Sequence, residues 1–193
     1  MEKYISKKEK ASYGFAAVGS YMVAGITQSY LMYFFTDILI IPSAFVMMLM
    51  IVARAWDALN DPMMGVIVDR TSTKYGKMRP YVLVGSFLML VTTIVLFMPL
   101  TGAPTMFKMI FAAVSYIIFG MAYTLTDVPA MGLMSVATPN SDERASLLSF
   151  YVTVGSVGSL LPVGLLTIFQ SFIPEKYVYF AMSIFVGDRK SVV

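Results

Sequence analysis

The chain has 193 residues, of which 58% are hydrophobic and 13% charged, and its mean hydropathy is +0.76. A soluble domain carries about a quarter charged residues, so this composition predicts an integral membrane protein. The absence of Cys and His excludes disulfides, thiolate chemistry and the common zinc sites. The formal charge of +3 comes largely from basic residues at the ends of apolar runs, which argues against a nucleic-acid partner.

Long apolar runs separated by short polar loops predict an all-α membrane protein. A helix needs about 20 mainly apolar residues to cross the hydrocarbon core of a bilayer. Five runs reach this length, and a sixth begins near residue 177. The five predicted helices cover roughly 11–36, 43–68, 80–98, 106–137 and 146–170.

Basic residues are divided unevenly between the two sides of this predicted bundle. One side carries nine of them: Lys3, Lys7, Lys8, Lys10, Arg70, Lys74, Lys77, Arg79 and Arg144. The other side carries only Lys108 and Lys176. Because Lys and Arg concentrate in cytoplasmic loops, we expect a multi-pass protein of the cell's inner (cytoplasmic) membrane with its N-terminus in the cytoplasm.

The sixth apolar run meets charged residues early. After about ten apolar residues it reaches the stretch DRKSVV, and charges at membrane depth are costly. We therefore interpret 1–187 as a transmembrane domain truncated in its sixth helix. We interpret 188–193 as a non-native terminal sequence that resembles a translated sequencing adapter, the alternative being a natural terminus after a short helix.

The second predicted helix contains charged residues in the stretch RAWDALNDPMMGVIVDR. Residues four apart lie on one helix face, so Asp57 and Asp61 are neighbouring carboxylates that Arg54 alone cannot neutralise. Charges at membrane depth cost about 2.5 kcal/mol or more each, and they usually mark an ion or substrate path. We predict a cation site at the two acids. For Arg54 we expect a structural charge pair with one of them, locking helix packing.

Further polar residues extend the predicted cation site. Asn60 offers an amide oxygen beside the two acids, and Thr124 and Asp127 offer a hydroxyl and a third carboxylate on the fourth helix. Hard cations prefer oxygen ligands, so Asp57, Asn60, Asp61 and Thr124 would suit Na⁺ or Li⁺, and the carboxylates would also take H⁺. We expect no cofactor and no metal beyond this cation.

The end of the second helix has a pattern of its own. Gly65 permits close helix approach, while Asp69 and Arg70 lie where the helix meets the cytoplasm. One interpretation is a solvated basic loop that fixes the orientation. The other is a cytoplasmic gate, in which these charges pair with a neighbouring helix end in one conformation only.

Other classes of protein remain open on these residues. A Mg²⁺-dependent, membrane-embedded prenyl- or phospho-alcohol transferase would use Asp57, Asp61 and Asp69, but it needs a second acidic cluster, and Asp127 stands alone. An intramembrane aspartyl protease lacks its usual glycine-flanked acid. A non-transporting scaffold would use the small residues of VTVGSVGSLLPVG for helix packing, which leaves the acids unexplained.

Several segments resemble one family of transporters. SYGFAAVG, YLMYFFTDI, VARAWDALNDPMMG, YGKMRPY and YTLTDVP are similar to segments of the glycoside–pentoside–hexuronide:cation symporters, the melibiose-permease group of the major facilitator superfamily. The stretch from Gly65 to Arg70 resembles a variant of the superfamily signature between helices 2 and 3. The resemblance covers the five predicted helices.

This resemblance implies a secondary transporter and not an enzyme. Its fold would have twelve helices in two halves, with this chain as the N-terminal six-helix half truncated in helix 6. Sugar and cation would bind between the halves, and rocking would give alternating access. The implied partners are a sugar or glycoside, the coupling cation, the lipid bilayer and the missing C-terminal half.

The resemblance also implies roles for single residues. The two acids of helix 2 would be the cation carboxylates, with Asn60 and Thr124 as helpers. Asp127 would belong to the sugar-binding side and couple it to the cation, and Tyr123 would line the cavity.

Three positions depart from the family pattern. Tyr21 stands where an acid is usual in helix 1, Val152 where helix 5 carries an arginine, and Met131 where an aromatic residue follows the helix 4 proline. Valine cannot donate the paired hydrogen bonds of arginine. We therefore expect an intact cation site but not a galactoside substrate. Another glycoside, a pentose or a uronide stays open, as does the choice among Na⁺, Li⁺ and H⁺.

Overall fold

A computed structural model describes residues 4–74 and 76–188. Within these ranges the chain forms six α-helices and one π-helical segment, so the predicted all-α architecture is confirmed. The elements are α1 (Lys7–Tyr33), the π-helical segment (Phe34–Ile38), α2 (Ser43–Arg70), α3 (Arg79–Leu96), α4 (Thr105–Val136), α5 (Ser141–Gln170) and α6 (Glu175–Asp188). The predicted non-native terminal sequence is 188–193, and its residues from 189 onward lie outside the described residues.

Capping side chains set the starts of α1 and α5, which begin earlier than the apolar runs. The Ser6 hydroxyl accepts a bond from the Glu9 backbone N–H at 3.2 Å, and the Glu9 carboxylate accepts one from the Ser6 N–H at 2.8 Å. The Asn140 amide oxygen accepts bonds from two backbone N–H groups in the first turn of α5. These caps satisfy donors that a helix start leaves unpaired, so polar residues join the helix.

Among the described residues, four helices, α2 to α5, have the length and apolar composition to cross a membrane. A multi-pass membrane protein is therefore confirmed. The 27-residue α1 has the length, but Ser, Tyr, Gly, Thr and Gln lower the hydropathy of its sequence. Its spanning role consequently rests on its place in the bundle, where it packs against α5 and α6.

The bundle consists of two groups of three helices. In one group α1 packs on α5 and α6, and in the other α4 packs on α2 and α3, while α3 and α6 join the groups. Glycines bring α1 and α5 into backbone contact. A Cβ at Gly25 would lie 3.0 Å from the Ser159 Cα, and one at Gly158 would lie 2.9 Å from the Val18 Cα. Small residues thus allow the close approach expected of membrane helices.

Aromatic rings fill the core where the chain leaves α1. Phe34 and Phe97 are fully buried with ring centroids 5.3 Å apart, and Tyr179 of α6 lies 6.0 and 6.4 Å from them. These distances are typical of favourable aromatic pairs. The cluster holds the π-helical segment, α3 and α6 together at one end of the bundle.

Lys108 is buried at the same end, with 6% of its surface exposed. Its Nζ donates a 3.0 Å hydrogen bond to the Leu39 carbonyl, just after the π-helical segment. The chain then turns through Ile40, whose φ of +58° is in the left-handed region. A carbonyl at a helix end lacks an intrahelical donor, and the lysine supplies one.

Candidate functional site

A cavity of about 430 Å³ lies between α1, α2 and α4. The polar side chains that reach it come mainly from the middle of α2 and from the second half of α4. Six of the residues singled out in the sequence line its wall: Arg54, Asp57, Asp61, Tyr123, Thr124 and Asp127. The predicted residues of α2 and those of α4 are far apart in the sequence, and helix packing brings both groups to one cavity.

Asp61 is fixed by a residue of the neighbouring helix. The Thr124 hydroxyl donates a 2.8 Å hydrogen bond to Asp61 Oδ1, and Thr124 itself is 3% exposed. A hydroxyl that donates to a carboxylate makes a charge-assisted bond, which is stronger than a neutral one. This bond therefore links α2 to α4 and orients one carboxylate in the cavity wall.

Asp57 lies between the Arg54 guanidinium and Gly120 of α4. Arg54 Nη1 is 3.9 Å from Asp57 Oδ2, and the side chains of the two residues are 73% and 33% exposed. Both residues belong to α2, so this contact joins no two helices, and the structural role of Arg54 stays a prediction. On the other side, a Cβ at Gly120 of α4 would lie 3.1 Å from Asp57 Oδ1. The small residue leaves room for the carboxylate.

Asn60 occupies a different position from the other predicted cation ligands. It is not among the residues that line the cavity, and it is 6% exposed. Its Nδ2 has no hydrogen-bond partner within the described part of the chain. Consecutive residues of an α-helix point about 100° apart, so a residue next to Asp61 can lie at the edge of the cavity face without lining it. Its role as a cation helper stays a prediction.

The three carboxylates line one cavity but do not form one cluster. Among the described residues, no three acidic side chains come close enough to hold a metal ion. Asp127 lies along α4 with Tyr123 one turn before it, and both line the cavity wall. Asp57 and Asp61 on α2 and Asp127 on α4 thus line the same cavity from two helices.

Several cavity residues were not predicted from the sequence. Thr27 and Gln28 of α1, Trp56 of α2 and Tyr116 of α4 also line the wall. The sequence does contain one indication for Gln28, since it is a polar residue inside a predicted membrane span. An amide that faces lipid is unfavourable, so such a residue is expected to face the protein interior. Its direction toward α2 and α4 depends on the rotation of α1, which hydropathy does not report.

The three departures from the family pattern do not line this cavity, although Tyr21 is near enough to Asp127 of the cavity wall to interact with its charge. Tyr21 packs across Gly155 and makes an edge-to-face contact with Tyr151 at 6.0 Å between ring centroids. Met131 belongs to the same small core, and Val152 is 44% exposed on α5. None of the three is among the cavity-lining residues.

The predicted gate residues lie at the end of α2. Asp69 and Arg70 are exposed in the last turn and make no ion pair with the described residues. A Cβ at Gly65 would meet no atom within 4 Å. The surface around these three residues is therefore open in this half of the bundle.

A bundle of apolar helices with acids in an internal cavity is typical of membrane transporters. Comparison with known sequences agrees: the family described as MFS/sugar transport protein matches residues 12–186. The chain belongs to this family, and the predicted resemblance is confirmed.

Several curated relatives are symporters by name. The chain is 37% identical to the symporter YjmB of Bacillus subtilis over 82% of its length, and 35% identical to the inner membrane symporter YicJ of Escherichia coli over 81%. It is 33% identical to YagG of Escherichia coli, described as a putative glycoside/cation symporter, over 83%. These alignments cover 34–35% of the relatives, so the chain spans about a third of their length. The transferase alternative finds no support among them.

Proposed function

We propose that the chain is the N-terminal part of a cation-coupled sugar or glycoside symporter that works by alternating access. The observation that carries this proposal is the convergence of Asp57, Asp61 and Thr124 on one cavity between three membrane helices. The description of the relative YagG as a glycoside/cation symporter supports the same class of substrate and coupling.

The coupling cation would bind at the two acids of α2. The cavity is lined by three carboxylates and, among the described residues, by one basic side chain, Arg54. This surplus of negative charge at membrane depth is unfavourable unless a cation or proton balances it. Asp57 and Asp61, with the Thr124 hydroxyl, supply the oxygen ligands that Na⁺ or Li⁺ would need, and either acid would accept H⁺.

The sugar would bind farther along the same cavity. Asp127 and Tyr123 line its α4 wall, and Gln28 adds an amide from α1. Carboxylate, phenol and amide groups form hydrogen bonds with sugar hydroxyls, and a sugar also packs on aromatic rings. If cation and sugar bind in the same cavity, each changes the charge and hydration that the other meets. This effect provides a physical basis for coupling.

The proposed orientation places the N-terminus and the loop after α2 in the cytoplasm of the cell, in the inner membrane. The excess of basic residues on this side supports it. Asp69 and Arg70 would then form the cytoplasmic gate by pairing with helix ends of the C-terminal half when the transporter faces outward. Their exposure in this half of the bundle leaves them accessible for such partners.

The proposal is tested in the full-length transporter that contains this segment. Asp57→Asn and Asp61→Asn, made singly, should each abolish cation-driven sugar accumulation, while sugar exchange across the membrane persists. Radiolabelled sugars would be screened with and without Na⁺, Li⁺ and a pH gradient. Asp142→Asn is the matched control, since Asp142 is an exposed acid in the first turn of α5 outside the cavity. Unchanged cation stimulation in both cavity variants would reject the proposal.

A further inference from the structure

Arg54 is the one basic side chain among the described residues that line the cavity. Its guanidinium is 3.9 Å from the Asp57 carboxylate, and 73% of the side chain is exposed. The two residues are three apart on α2, so their pairing stabilises no contact between helices. A purely structural ion pair would be expected to be shorter, more buried and shared between two helices.

The geometry instead fits a contact that forms and breaks. An ion pair at this distance with an exposed arginine is weak, because solvent screens it and the long side chain loses conformational freedom in forming it. Asp61 differs, because its carboxylate accepts a 2.8 Å hydrogen bond from the buried Thr124 hydroxyl. Of the two carboxylates on this face of α2, Asp61 is therefore held by α4, whereas Asp57 has a long contact with the exposed guanidinium of Arg54.

We propose that Arg54 is a displaceable counter-charge that occupies Asp57 until the coupling cation replaces it. The inference rests on the proposed symport function and deepens it by assigning a residue to the coupling step. When the cation binds Asp57, the guanidinium loses its partner and remains in the cavity. There it donates hydrogen bonds to the hydroxyl groups of the sugar.

This exchange links the two ligands through one side chain. The cation frees a sugar-binding group, and a sugar bound to that group keeps it away from the cation site. By linkage, each ligand raises the affinity for the other by the same factor. Arg54 is the basic group that the described part of the chain places in the cavity wall, where it can recognise the sugar.

The test compares Arg54→Gln with wild type in the full-length transporter. First, uptake by wild type identifies which of Na⁺, Li⁺ or H⁺ stimulates transport. Removing the competing charge should lower the half-saturating concentration of that cation about fivefold, equivalent to about 1 kcal/mol. The ratio of the sugar KM without cation to the KM with cation should be about fivefold or more in wild type and should fall to about one in the variant.

Two variants control for charge and side-chain length. Arg54→Lys retains the charge in the cavity, so a clear dependence of sugar affinity on the cation should remain. Lys176→Gln removes one positive charge from an exposed position at the start of α6, and both quantities should stay at their wild-type values. A lost KM ratio in Arg54→Gln alone separates coupling from a general effect of net charge.

The outcomes distinguish this inference from the function on which it rests. Wild-type uptake that responds to no cation would overturn both. Cation-stimulated wild-type uptake with an unchanged KM ratio in Arg54→Gln would overturn the role of Arg54 alone. If Arg54→Gln does not reach the membrane, labelling of arginine by phenylglyoxal replaces it as the test. In the absence of cation, labelling of Arg54 should be stronger in Asp57→Asn than in wild type. Equal labelling would overturn the inference.

Discussion

The Thr124 hydroxyl donates a 2.8 Å hydrogen bond to Asp61 and so joins α4 to α2 in the cavity wall. Thr124→Val keeps the shape of the side chain but removes the donor. Bonds to charged groups contribute about 1.5–3 kcal/mol, so the half-saturating cation concentration should rise about tenfold or more. Cation titration of sugar uptake in the full-length transporter measures this effect.

Thr126→Val is the matched control for this prediction. Thr126 is also buried on α4, but its hydroxyl donates to the Ala122 carbonyl within the same helix at 3.1 Å. The same substitution there should leave cation affinity within about twofold of wild type, since it removes a bond that is local to α4. Equal cation affinities in the two variants would show that the Asp61 contact has no part in cation binding.

Gly120 leaves space for the Asp57 carboxylate. A methyl group at this position would lie 3.1 Å from Asp57 Oδ1, so in Gly120→Ala the carboxylate must move by a few tenths of an ångström. Ligand geometry matters at this scale, and we expect cation affinity to fall about threefold to tenfold. The control is Gly164→Ala on α5, where a Cβ would meet no atom within 4 Å. Titration of both full-length variants with the cation that stimulates wild-type uptake checks the difference, and an unaffected Gly120→Ala would contradict this geometry.

The sequence alone predicted those features that depend on local geometry. The apolar runs of α2, α3 and α4 are bounded by proline and polar loops, and the observed helices follow them closely. The spacing of Asp57 and Asp61 placed both on one face of α2, and both line the cavity. Neither result requires knowledge of how the helices pack against each other.

Features set by packing could not be predicted in this way. Asn60 does not line the cavity and Gln28 does, and both results depend on how a helix is rotated and packed in the bundle. Lys108 was counted among the loop charges, whereas the structure buries it beneath the turn after the π-helical segment. Its burial depends on a carbonyl acceptor 69 residues away in the sequence, which no local pattern shows.

Gly25 is required where α1 meets α5. A Cβ here would overlap the Ser159 carbonyl oxygen and lie 3.0 Å from the Ser159 Cα, and backbone atoms of a helix cannot move aside. We expect Gly25→Ala to lower the free energy of unfolding by about 1–3 kcal/mol, because the two helices must separate. Thermal unfolding of the purified protein in detergent measures the change. Gly164→Ala serves again as control, and it should be neutral or slightly stabilising, since alanine favours a helix.

Lys108 should contribute to stability through its buried hydrogen bond. Lys108→Met keeps an unbranched side chain, one atom shorter than lysine, but leaves the Leu39 carbonyl without its donor, and an unpaired buried acceptor costs about 1–3 kcal/mol. The variant should unfold at lower temperature in the same thermal unfolding measurement as Gly25→Ala. Lys176→Met removes an exposed lysine and should change little. A Lys108→Met protein as stable as wild type would indicate that desolvating the amine offsets its bond to the π-helical turn.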